Sequence, residues 1–337
     1  MSVVQNGLLQ TAYSTATADA VAGFIATNYD VPLPLDCILL QRGFNDSFAI
    51  RASDGARYVL RMSGRRRRGE ADVAAETGFL AFLESAGVPV ATAVATRAGA
   101  LFGEAVMPEG FRPVVLFRHA GGRPPNLDAA EDARAQGVTL ARLHDAAEDF
   151  PGRETGRYRL DLDHLLHRQV AAILELKHIS DETRRYLLEL SSRLAAAVEA
   201  RPDLGWTRCH GDCHGVNAHI LTEGANAGQA KFFDFDDGGF GYLAYDLAVH
   251  LWAQIVFGRR RYAMWLAFID GYRSIRPIAQ ADFDAAALFV PIRHIWLMGE
   301  WAGRVGEWGT SSMAWLDRES GFLRAWETEK LSPGLLG

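Results

Sequence analysis

The chain has 337 residues, a formal net charge of -6, and 49% apolar against 23% charged side chains. That is a globular balance over a length of about two domains, and an acidic chain is a poor fit to duplex DNA. Three cysteines, Cys37, Cys209 and Cys213, fall short of a disulfide framework and fit a reducing compartment. No secretion signal and no run of about 20 uncharged apolar residues is present. The expectation is a cytoplasmic protein with neither a membrane nor a nucleic-acid partner.

In chain order, residues 1–30 read as a short, partly helical extension. A hairpin follows. Phe48, Ile50 and Ala52 alternate with polar or small residues, Asp54-Gly55 turns the chain, and Tyr58, Leu60 and Met62 alternate again. Alternation places Leu60 and Met62 inward and Arg61 on the opposite face. The basic run Arg65 to Arg68 reads as a solvated loop, and Glu70 to Ala86 as a helix stopped by Gly87. Strands are expected near Ala91–Thr96, Phe102–Met107 and Pro113–Phe117, before a boundary at Gly121-Gly122 and Pro124-Pro125. Beyond it come helices over Asp128–Glu148, Asp161–Ile179 and Asp181–Ala200. Short strands follow at Ala218–Leu221 and Lys231–Phe235, then helices from Tyr245 onward. The expected fold class is α+β. A small antiparallel-sheet lobe with one main helix (1–118) is followed by a larger helical lobe (119–337).

The densest chemistry is His210-Gly-Asp212-Cys-His214-Gly-Val-Asn217, followed by Phe232-Phe-Asp234-Phe-Asp236-Asp237. Phosphoryl transfer needs one carboxylate to orient a hydroxyl and accept its proton. It also needs hard oxygen donors for magnesium, and Asp and Asn suit that ion. Asp212 and Asn217 are five residues apart on one loop. A hairpin between the strand after Asn217 and the strand ending at Asp234 brings those two residues to one mouth. Asp236 and Asp237 have two readings, approach to metal or substrate on one hand and plain solvation on the other.

This spacing resembles the catalytic loop of protein kinases. It is still more similar to the aminoglycoside phosphotransferase and choline kinase superfamily, where His-Gly-Asp is followed by a Tyr-Asp-Leu-Ala segment, here Tyr245 to Ala248. The Cys-His and Asp-Phe-Asp-Asp details look closest to the bacterial stress-response kinases of that superfamily. The resemblance implies a two-lobed protein-kinase-like fold, with ATP and Mg2+ as cofactors and Asp212 as the catalytic residue. It implies metal-binding Asn217 and Asp234, Asp246 bracing the catalytic loop, and a helix end at Leu140 to His144 near the back of that loop. It implies a phosphate-covering turn around Gly43, Phe44 and Asn45, and a cation on the next strand held by a helix glutamate. Here those are Arg61, where such proteins carry Lys, and Glu76. It also implies a hinge at Phe117 and His119 whose backbone holds adenine.

The acceptor this implies is the hydroxyl of a small molecule of amino alcohol, aminoglycoside, homoserine or sugar type. A protein Ser/Thr is the alternative, and a catalytically silent nucleotide-binding regulator is the rival from another class. Cys209-His210-x-x-Cys213-His214 can also be read as a zinc site, although consecutive positions do not converge on one tetrahedral ion. Trp301, Trp308 and Trp315 recur every seven residues. They are core, or with Glu300 and Glu307 an aromatic and acidic wall for a cationic acceptor.

Overall fold

The computed structural model describes residues 9–64, 69–152, 159–177, 179–256, 259, 261–309 and 316–330. The basic run at 65–68 and Trp315 lie outside that set. The chain divides into two compact units, Met1–Thr77 with Thr92–His119, and Gly78–Ala91 with Ala120–Gly337. The division by contact thus falls after His119, and a stretch expected with the first lobe, residues 78–91, clusters with the second.

In the first unit, helix α1 (Ala18–Asn28) starts at Thr17, whose hydroxyl accepts from the Ala20 N–H. Strands β1 (Leu35–Arg42), β2 (Asn45–Ala52) and β3 (Arg57–Ser63) follow, then α2 (Glu70–Ser85), β4 (Gly103–Met107) and β5 (Gly110–Arg118). The five strands form one antiparallel sheet in the order β1-β2-β3-β5-β4. The β2–β3 turn is the expected Asp54-Gly55, with Gly55 at φ 87° and the Asp54 carboxylate accepting from the Ala56 N–H. The extension is no appendage. Val21, Ile25 and Tyr29 of α1 pack into one core with Phe48, Ile50, Leu60 and Leu116 of the sheet. Buried Arg112 ties down the segment before α1, donating to the Ser14 carbonyl, the Tyr13 hydroxyl and the Asp46 carboxylate.

Two sequence expectations change here. Leu60, Arg61 and Met62 are all buried, so burial does not alternate along β3. The sheet core covers one face and Glu76 of α2 meets Arg61 on the other. Ala91–Thr96 forms no strand, only isolated bridges such as Ala93 to Phe117.

The second unit opens with α3 (Ala130–Glu148). A turn of π-helix (Asp163–His167) runs into α4 (Arg168–Leu174), so the helix expected over 161–179 is shorter and distorted at its start. Helix α5 (Asp181–Glu199) is capped by the Ser180 hydroxyl. Two short antiparallel pairs follow. Strand β6 (Trp206–Cys209) pairs with β9 (Gly239–Tyr242), and between them β7 (Ala218–Ile220) pairs with β8 (Ala230–Phe232). Helices α6 (Leu243–Ile255), α7 (Tyr262–Arg273), α8 (Gln280–Ala302), α9 (Val305–Trp308) and α10 (Leu316–Lys330) complete it. Every residue of α6 is buried, as expected of a helix that is apolar all round. Helices α3 and α7 approach so closely that a Cβ on Gly137 would lie 1.9 Å from the Phe268 carbonyl oxygen. One on Gly271 would lie 2.1 Å from that of Arg134. Among the described residues no helix is long and apolar enough to cross a membrane.

Candidate active site

The loop between β6 and β7 is held from behind by one buried carboxylate. Asp246, in the first turn of α6, accepts from the backbone N–H of His210 at 2.6 Å and of Gly211 at 2.8 Å. His144 of α3 meets the same carboxylate through Nε2 at 3.1 Å, and its Nδ1 lies 2.8 Å from the Tyr272 hydroxyl. A carboxylate can donate to none of these, so the imidazole donates through Nε2 and accepts at Nδ1. Gly211 has φ 82°, and a Cβ there would fall 2.1 Å from the Asp237 carbonyl oxygen. Only glycine fits the crossing of the two loops.

His210 joins these loops. Its Nδ1 accepts from the Asp212 N–H at 3.2 Å, so Nε2 carries the hydrogen and donates to the Phe233 carbonyl at 3.1 Å. Burial pushes its pKa down, which keeps the ring neutral in this role. The ring packs 4.1 Å from that of Phe235.

Asp212 is the centre of the arrangement. Asn217 donates both amide hydrogens to it, to the main-chain carbonyl and to Oδ2, each at 2.9 Å. His214 Nε2 lies 3.4 Å from Oδ2. Oδ1 accepts from Arg293 of α8, a residue the sequence reading did not single out. The Arg293 guanidinium also reaches the Tyr245 hydroxyl at 3.3 Å and lies over the Trp296 ring at 4.5 Å. Burial alone would raise the Asp212 carboxyl, but Arg293, followed by His214, holds it well below the usual carboxylate range. The available signal was an arginine between the apolar runs Leu288–Ile292 and Ile295–Met298 of α8, since a buried cation needs a carboxylate partner.

Asn217 and Asp234 flank the β7–β8 pair, where the Phe233 N–H donates to the Asn217 carbonyl at 3.0 Å. Among the described residues Asp234 is the non-glycine residue with positive φ, 64°, a conformation Asp tolerates and one that gathers at functional sites. The hairpin therefore brings Asn217 and the residue before Asp234 into contact. With both Asn217 amide hydrogens committed to Asp212, the amide oxygen is left for a ligand. That oxygen and the Asp234 carboxylate are the hard donor set magnesium prefers. Asp236 and Asp237 are buried, so the solvated reading of them does not hold.

The zinc reading has no support in the geometry. Cys209 and Cys213 are buried, burial raises both thiols well above their ordinary range, and Cys213 points its Sγ at the Asp246 carbonyl. Among the described residues no group of three or more His, Cys, Asp or Glu side chains is gathered so as to hold a metal ion.

In the first unit Arg61 and Glu76 form a bidentate pair at 2.8 and 2.6 Å. The guanidinium lies over the Phe117 ring at 5.1 Å. Gly43 and Asn45 close the β1–β2 turn around Phe44, the Gly43 N–H donating to the Asn45 carbonyl at 3.0 Å. The Asn45 side-chain oxygen accepts from Gly64. The His119 N–H is committed to the Arg57 carbonyl at 3.1 Å, so that hinge group is engaged within the unit itself.

A cavity of about 230 Å³ opens beside the β6–β7 loop at His214, Gly215 and Val216. Trp252, Gln254, Arg259 and Arg261 wall it. Glu300, Glu307, Trp301 and Trp308 are not among its described lining residues. Trp301 and Trp308 pack edge to face at 5.7 Å, and Glu300 accepts from Gln169.

The loop is also supported from the α6 side. His250 Nε2 meets the Gln136 oxygen at 3.2 Å, and Gln136 donates to the Gly215 carbonyl. The His250 ring stacks on Phe268 at 3.9 Å, and burial, with His214 nearby, pushes its pKa down to about 3. The unfolded chain, with an ordinary histidine near 6.5, then binds the proton the folded chain refuses. This contribution is complete above pH 6.5 and is lost as pH falls toward 3. By pH 5 it amounts to about 2 kcal/mol. Urea unfolding at pH 7 and pH 5 should show that extra loss in the wild type and not in His250→Phe. Equal losses in both would remove His250 from the acid sensitivity.

Residues 38–278 match the family described as the phosphotransferase enzyme family. The chain belongs to that family. It is a phosphotransferase acting on an alcohol group. It is 36% identical to an uncharacterized protein of Deinococcus radiodurans, over 94% of this chain and 91% of the relative. It is 25% identical to the homoserine kinase of Caulobacter vibrioides strain NA1000, over 89% of this chain and 90% of the relative. Among solved structures it is similar to amicoumacin kinase hAmiN in complex with AMP-PNP, Ca2+ and Ami. There the TM-score is 0.74 at 18% identity, covering 92% of each chain. The two-lobed protein-kinase-like class expected from the sequence is the class of these neighbours.

Proposed function

We propose that this kinase transfers the γ-phosphoryl group of ATP, with magnesium, to the hydroxyl of a small molecule. The observation that carries the reading is Asp212, an ionised carboxylate on a loop braced by Asp246, with Asn217 against it and Asp234 across the hairpin. Asp212 orients the acceptor hydroxyl and takes its proton. The acceptor oxygen bonds to the γ-phosphorus as the bond to the β–γ bridging oxygen breaks, leaving ADP. Asn217, through its amide oxygen, and Asp234 would hold the magnesium, which neutralises phosphate charge when bound. Arg61, fixed by Glu76, contacts phosphates. The Gly43–Phe44–Asn45 turn covers them, and the strand end at Phe117 and His119 takes the base through groups other than the committed His119 N–H. The homoserine kinase relatives and the amicoumacin kinase support a small acceptor.

The test is magnesium-dependent ADP release over homoserine, choline, aminoglycosides, sugars and a generic Ser/Thr protein, with Asp212→Asn as control. A signal that vanishes in the control supports the reading. ATP binding with no turnover of any acceptor would favour the silent regulator instead. Asp234→Ala is expected to weaken magnesium–nucleotide binding by at least tenfold, about 1.4 kcal/mol. An unchanged affinity by calorimetry would remove Asp234 from the metal site.

A further inference from the structure

We propose that Glu319 of α10 is a positioning residue for Asp212, acting through His294 and Trp252 on Arg293. This rests on the phosphotransferase reading above and extends its site to a helix far along the chain.

The aim of Arg293 decides the surroundings of Asp212. Its Nη2 donates to the Asp212 carboxylate, and its Nη1 reaches the Gly211 carbonyl at 3.4 Å and the Tyr245 hydroxyl at 3.3 Å. Its Nε is buried without a hydrogen-bond partner among the described residues, so polar contacts hold one end of the guanidinium only. Aromatic rings hold the rest. The guanidinium carbon lies 4.5 Å from the centre of the Trp296 ring and 5.3 Å from that of Trp252. Such an attraction requires the cation to lie over the ring face, so the tilt of each indole bears on where Arg293 points.

A histidine fixes each indole. Trp296 Nε1 donates to His164 Nε2 at 3.3 Å, and Trp252 Nε1 donates to His294 Nδ1 at 3.1 Å. An indole N–H can only donate. His294 Nδ1 therefore accepts, and the hydrogen of that ring sits on Nε2. There it meets α10, with Glu319 Oε2 3.0 Å away. The N–H is not aligned for a hydrogen bond, yet the carboxylate still selects the tautomer, because it attracts an N–H and repels a lone pair. With the hydrogen on Nδ1 instead, two donors would face each other and the Trp252 ring would have to turn. Phe322, also of α10, packs its ring 4.3 Å from that of His294.

Burial separates this arrangement from plain helix docking. Glu319, His294 and Trp252 are all buried, and burying a carboxylate costs free energy that an apolar residue at the same place would not. Helix α10 has another polar anchor. Its Glu327 accepts from Tyr186 at 2.8 Å and from Arg193, both on α5. That anchor touches neither His294 nor Trp252, and it supplies a control.

The test uses the full chain, with melting checked for every variant, and kcat from ADP release with the acceptor that the panel above identifies. Glu319→Met should lower kcat about fivefold or more, well within what a misplaced catalytic group costs. Glu327→Gln, which loosens the same helix from α5, should stay within about twofold of wild type. In the Trp252→Phe background, where no indole N–H remains to be held, adding Glu319→Met should cost less than about twofold. A smaller fall in Glu319→Met overturns the proposal. So does an equal fall in Glu327→Gln, or an undiminished fall in the Trp252→Phe background. If the wild type turns over no acceptor, the phosphotransfer reading fails and the proposal is decided in urea. The coupling between Asp212→Asn and Arg293→Met should then drop by about half or more when Glu319→Met is present and hold when Glu327→Gln is present. An unchanged coupling in Glu319→Met, or the same drop in Glu327→Gln, overturns it.

Discussion

Asp212→Asn is expected to lower kcat by about 10²–10⁴, the contribution of a positioned general base, while the chain still folds. The asparagine oxygen can go on accepting from Arg293, so the shape of the site survives. It can no longer take a proton. Its new NH₂ also faces the Asn217 amide, which now donates to Oδ2 at 2.9 Å, and one of those donors must turn away. A loss of stability therefore accompanies the loss of rate, the more so because buried Arg293 loses its counter-charge. Steady-state ADP release beside circular-dichroism melting separates the two effects. Turnover within tenfold of wild type would mean that Asp212 takes no part in the chemistry.

Arg293→Met should produce the largest loss of stability, about 3 kcal/mol or more, because removing one partner of a buried pair leaves the other charge uncompensated. Arg293 is 3% exposed and Asp212 15%, which places the effect toward the lower end of the usual range. Methionine fills much the same volume between the Trp252 and Trp296 rings, so packing contributes little. Turnover should fall as well, since Arg293 holds both Asp212 and the Gly211 carbonyl. The decisive measurement is the double-mutant cycle with Asp212→Asn in urea. If the two charges stabilise each other, the double variant loses less than the sum of the single variants, by about 0.5–3 kcal/mol. Additive losses would show that the pair is not coupled.

The candidate site is legible in the sequence where it is local. Asp212, Asn217 and Asp234 lie on one loop and one hairpin, and a spacing along the chain translates directly into a spacing in space. Arg293 lies 81 residues from its partner, and no periodicity connects them. Strands β6 and β9 are four residues each, and β9 contains Gly239 and Gly241, too short and too glycine-rich for an alternating pattern to register. Arg61 was placed on the far face of an alternating strand and in fact is buried, because Glu76 covers that face. Ala91–Thr96 has a strand's composition, but its backbone forms only scattered bridges.

The tight crossing of α3 and α7 at Gly137 and Gly271 has an evolutionary consequence. A crossing that admits no side chain welds together the helices carrying His144, Gln136 and Tyr272, which support the catalytic loop. Almost any change at that crossing would move the chemistry itself.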